Sequence, residues 1–123
     1  MKLSQILTEE DWQIHNEPVN LWEMSNLYSQ DTGITSVTLW LGSGTGKQHG
    51  PNVKVSYGTK WNPNKNSTIP LYGQKKIIGN ANISQSQFDE IQRWINLNKK
   101  TIMQYWNNEI STAGMISQIK KLI

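Results

Sequence analysis

The sequence predicts an α+β fold, with a small antiparallel sheet of about four strands packed on a long C-terminal helix and an acidic segment in front. Residues 36–41 and 52–57 alternate apolar and polar side chains with period two, the pattern of half-buried strands. Phe88, Ile91, Trp94, Ile95, Ile102, Tyr105 and Trp106 recur at helical spacing, an apolar stripe about five turns long. The chain has 123 residues, the size of one domain, and its six tryptophans supply a core that a disordered chain lacks.

Residues 1–33 set Lys2 against six acids, a net charge of −5. Leu3, Ile6 and Leu7 share a helical face within residues 1–14, and Thr8 with Asp11 has the spacing of a capping box. Pro18 suits the first turn of a short helix containing Leu21, Trp22 and Met24, and Asp31-Thr32-Gly33 signals a turn. In the first strand Val37, Leu39 and Leu41 oppose Ser36, Thr38 and Trp40. In the second, Val53, Val55 and Tyr57 oppose Asn52, Lys54 and Ser56. The glycine-rich stretch 42–51 joins them as a long mobile hairpin loop, and residues 58–67, with Pro63 and three asparagines, read as a second loop. Residues 67–71 and 75–78 form a further hairpin around Tyr72-Gly73-Gln74, with Pro70 marking its first strand as an edge. Ser84 and Gln87 make a capping box at the start of the long helix, and Asn107-Asn108 ends it. Ser111-Thr112 opens a last short helix. Met115, Ile116, Ile119 and Leu122 face inward on it, and Lys120 and Lys121 lie near its C-terminus, where the helix dipole favours cations. No linker separates two domains; residues 1–33, 34–83 and 84–123 are three parts of a single one.

Several classes of chemistry are excluded. The chain has no cysteine, which removes disulfide scaffolds, thiolate-bound zinc and thiol catalysis. No window offers ~18 consecutive apolar residues, so no membrane span is expected. The first residues lack the pattern of a signal peptide, and the expected location is cytoplasmic. Gly42-Ser43-Gly44-Thr45-Gly46-Lys47 is a residue too short between its outer glycines for a phosphate loop. Gln48 stands where a magnesium-binding hydroxyl belongs, and a strand follows instead of a helix. His15 and His49 are the only histidines, 34 positions apart. As an acid–base pair they describe a small ribonuclease toxin. That reading stands behind one with no catalytic residue, no metal ligand and no cofactor.

What remains is binding. Residues 34–123 carry eleven basic residues against three acids, a net +8, and no acid lies between Asp31 and Asp89. Trp40 sits on the polar side of its strand, where a hairpin brings it near Lys54. With Lys47, His49, Lys60, Trp61, Lys65 and Tyr72 these residues interleave aromatic rings and cations, as proteins that bind single-stranded nucleic acid do. The competing expectation is cover in cis, with the acidic segment folded back over the basic middle and Leu21 and Trp22 laid on Trp40.

The run His49-Gly50-Pro51-Asn52-Val53-Lys54-Val55, then Ile78-Gly79, then a helix with Trp94-Ile95-x-Leu97-Asn98 ending at Tyr105-Trp106, resembles a bacterial family of small proteins of unknown function. Its members show a His-x-Pro-His-x-His-Val strand before a Trp-containing helix and occur beside toxin–antitoxin-like gene pairs or on mobile elements. The resemblance covers about residues 34–123. Asn52 and Lys54 replace the second and third histidines, so any metal or chemistry those histidines serve is expected to be lost here. The resemblance implies an antitoxin-like or inhibitor component of a toxin–antitoxin or mobile-element conflict, with a toxin- or nuclease-like protein as partner. Direct nucleic-acid binding through the basic hairpin is the alternative, and a homo-oligomer is compatible with either.

Overall fold

Backbone pairing organises the chain into a five-stranded meander. In the computed structural model, which describes residues 24–42, 50–62, 64–72 and 76–122, the elements in chain order are β1 (Met24–Leu27), α1 (Ser29–Thr32), β2 (Val37–Gly42), β3 (Asn52–Tyr57), β4 (Ser67–Pro70), β5 (Ile78–Gly79), α2 (Gln85–Trp106) and α3 (Thr112–Gln118). The strands lie side by side in sequence order, each antiparallel to the next. This is the predicted α+β architecture, with a long helix on the sheet.

Register assigns the two faces. Ser25, Leu41, Val53 and Ile69 form one cross-strand row, and Leu27, Leu39, Val55 and Ser67 the next. These rows carry the core side chains, because directly opposed residues share a face. Helix α2 supplies Phe88, Ile91, Trp94, Ile95, Ile102 and Tyr105 to the same core, and α3 adds Met115. At about 1.5–3 kcal/mol for each large side chain fully buried, this layer dominates the stability. The other face carries a row across all five strands: Asn26, Trp40, Lys54, Thr68 and Ile78. It is buried too, at Trp40, Lys54, Thr68 and Ile78.

Capping matches the sequence. Ser84 Oγ accepts from Gln87 N (3.1 Å) and Gln87 Oε1 accepts from Ser84 N (3.0 Å), closing both halves of the box that starts α2. Ser111 Oγ accepts from Gly114 N (3.0 Å) at the start of α3.

Four expectations change. Met24, expected within a short helix with Leu21 and Trp22, opens β1 instead, because the free edge of β2 offers a ladder from Gly42 to Leu39 that outweighs local propensity. Strand β4 is internal despite Pro70. Strand β5 is only two residues long and pairs with Ser67 and Thr68, so the missing N–H of Pro70 meets no acceptor on that side. The last hairpin is correspondingly shorter than expected. Ile116 points outward, and α3 ends at Gln118, so Ile119 and Leu122 reach the core from an extended segment rather than from a helix. The expected helices in residues 1–23, the cover by Leu21 and Trp22, and the hairpin loop at 43–49 lie outside the described residues.

That extended segment, residues 119–122, is held by other parts of the chain. Asn98 is buried on α2. Its Oδ1 accepts from Lys120 N (2.7 Å), and its Nδ2 donates to Lys120 O (2.9 Å) and to Trp94 O (3.0 Å). Leu122 N donates to Thr32 O (2.8 Å). Gly33, at φ +81°, ends α1 directly beneath it: a Cβ there would lie 2.4 Å from the Leu122 carbonyl oxygen.

Candidate functional site

The exposed chemistry gathers in the connection from β3 to β4. Tyr57 continues the core-side alternation of Val53 and Val55, but it ends its strand and is 52% exposed. Gly58 then turns the chain at φ +83°, a conformation that side chains resist. Its N–H donates to Ser36 O (2.8 Å) and its carbonyl accepts from Thr38 Oγ1 (2.6 Å).

Beyond Gly58 polar side chains, most of them the loop's own, fasten the backbone. Ser56 Oγ donates to Lys60 O (2.8 Å). Asn62 Oδ1 accepts from Asn64 N (2.9 Å) and Lys65 N (3.2 Å), an Asx turn. Asn66 Nδ2 donates to Asn62 O (3.0 Å), and Asn80 Nδ2 donates to Asn64 O (2.9 Å). The asparagines that dominate this stretch therefore act as backbone ties. Trp61 is braced from behind by Trp40, ring centroids 5.6 Å apart at 82°, an edge-to-face arrangement.

A surface pocket of about 440 Å³ results, lined by Tyr57, Thr59, Lys60, Trp61 and Asn62. Lys60 and Lys65 are exposed, and neither ammonium is engaged by an acid among the described residues. The acid-free stretch between Asp31 and Asp89 leaves the pocket without a negative side chain of its own loop.

The candidate residues read from the sequence divide into four groups. Lys60, Trp61 and Lys65 share this loop. Trp40 and Lys54 face each other across β2 and β3, as the hairpin pattern implied, but both are buried, at 7% and 4% exposure. Trp40 reaches the site only through Trp61. Lys54 donates to Thr68 Oγ1 (2.7 Å) and is a structural cation of the sheet. Tyr72 follows β4 at the opposite end of the sheet, about one strand length of roughly 17 Å away, with Lys99 Nζ 4.4 Å from its ring centroid. Lys47 and His49, like His15, lie outside the described residues. Tyr57, Thr59 and Asn62 were not among the candidates. For Tyr57 the available signal was its place at the end of a strand, where alternation no longer guarantees burial.

Among the described residues no three His, Asp or Glu side chains gather as a metal site, and no helix is long and apolar enough to cross a membrane. Comparison with family models, with curated proteins and with solved structures gives no match.

Proposed function

We propose that this chain is a non-catalytic macromolecule-binding protein that meets its partner through the β3–β4 loop. The observation that carries this reading is the division of labour in residues 57–65. The backbone is tied down largely by the loop's own side chains, while Tyr57, Lys60 and Lys65 are exposed, Trp61 is half-buried, and no acid among the described residues engages the lysines. A loop ordered before binding loses less entropy when it binds, and that supports a contact surface over a mere connection. An antitoxin-like or inhibitor role against a toxin- or nuclease-like protein follows from the charge split and the family resemblance. Binding of nucleic acid is the second reading, favoured by aromatic rings alternating with lysines.

The test is recovery of a stoichiometric complex from native cells by the full chain. Wild type is expected to retain its partner, and the Lys60→Glu, Lys65→Glu double variant to lose it while folding normally. Equal recovery by both, or recovery of the chain alone, rejects the loop as the contact.

A further inference from the structure

We infer that the pocket of the β3–β4 loop receives an unpaired base of a single-stranded nucleic acid, its ring against Tyr57 and Trp61 and its phosphates at Lys60 and Lys65. This rests on the second reading above, binding of nucleic acid, and names the chemistry that site would take.

The lining decides the class of ligand. Tyr57 and Trp61 offer π-faces, which attract any planar base irrespective of sequence. Lys60 at the same pocket and Lys65 beside it supply charge for a polyanion. Asn62 spends its Oδ1 on the Asx turn, and its Nδ2, without a hydrogen bond among the described residues, can donate to a base-edge acceptor. The pocket, about 440 Å³, opens broadly to solvent, as a surface on which a base stacks does. An acidic protein surface would satisfy the lysines, but it has no planar ring system at each repeat to occupy the aromatic lining. A duplex is disfavoured because its bases are already stacked on both faces, so the rings meet only the backbone.

Rigidity supports the same assignment. Trp61 is held edge-on by buried Trp40, and the Lys60 carbonyl is pinned by Ser56, so the ring and the Lys60 backbone keep a fixed relation before a ligand arrives.

The experiment is fluorescence anisotropy of the full chain with a labelled fifteen-residue oligothymidine and with a duplex of the same length, across a salt series from 50 mM. The single strand is expected to bind more tightly than the duplex. Tyr57→Ala and Trp61→Ala should each weaken it about tenfold to a hundredfold. The Lys60→Gln, Lys65→Gln variant should flatten the plot of log affinity against log salt by roughly 1.4, about 0.7 for each lost phosphate contact. Tyr57 is 52% exposed at the end of its strand, so its variant keeps the test valid if Trp61→Ala unfolds.

Equal affinity for duplex, or an unchanged affinity in Tyr57→Ala, overturns the base pocket. Absence of oligonucleotide binding, combined with a protein partner lost in the Lys60→Glu, Lys65→Glu variant, overturns this inference and leaves the binding reading standing. Absence of both removes the two together.

Discussion

The β3–β4 loop and the C-terminal segment 119–122 are both irregular, and the balance of what holds them differs. In the loop most ties are short-range: Ser56, Asn62 and Asn66 bind main-chain groups within four residues, the side chains of Thr38 and Asn80 add one bond each from outside, and Tyr57, Lys60 and Lys65 are left exposed. The C-terminal segment has its backbone gripped by distant groups, Asn98 on α2 and Thr32 at the end of α1, while Ile119 and Leu122 pack on the core. A segment held by distant groups belongs to the fold, and its loss is felt as instability. A segment held mostly by short-range ties can change its exposed residues, such as Lys60 and Lys65, at little cost to the fold, which is the condition a binding surface needs.

The contrast is broken most directly at Gly33. Gly33→Ala places a Cβ against the Leu122 carbonyl at a left-handed backbone position, and the segment must lift. A loss of about 3 kcal/mol in urea unfolding is expected, one to two of it from the backbone itself, together with faster hydrogen exchange at the Leu122 amide. An unchanged exchange rate there means that the segment is not held as described.

Asn98→Leu comes next. It leaves the Lys120 N–H and carbonyl without their partner and should cost about 1–3 kcal/mol, and Asn98→Asp, which sets a buried carboxylate against the Lys120 and Trp94 carbonyls, should cost at least as much at neutral pH. A smaller loss in Asn98→Asp than in Asn98→Leu would mean that the two carbonyls do not depend on the Asn98 amide.

On the loop side, Trp61→Ala removes the edge-to-face contact with Trp40 and should lower stability by about 1 kcal/mol. The smallest effect sharpens the contrast. The Lys60→Ala, Lys65→Ala double variant should stay within about 0.5 kcal/mol of wild type by urea titration, whatever it does to binding. A larger loss would make these lysines part of the fold.

Much of the architecture is readable along the chain. The alternation in residues 36–41 and 52–57 becomes β2 and β3, the stripe from Phe88 to Tyr105 becomes the buried face of α2, and the Ser84–Gln87 box caps it. Tyr57 shares the alternation of Val53 and Val55 yet opens outward, and Trp40 and Lys54, on the side that the pattern offers either to a ligand or to cover, are enclosed. The lysine and tryptophan of the loop were visible as residue types, but Tyr72 was grouped with them although it lies at the other end of the sheet. Spacing along a strand says which face a side chain takes. It does not say what lies over that face or how far the cover extends.

Residue order therefore specified what depends on neighbours within a turn or two: the periods of helix and strand, the caps, the turns and the charge split. Contacts across long separations settled the rest: β1 on the edge of β2, the depth of Lys54, the grip of Asn98 on Lys120, and the meeting of Trp61 with Trp40 behind a pocket. The reason is physical. Propensity and capping are local free energies, whereas burial and pairing depend on which distant surface arrives, and no single window of the chain contains both partners.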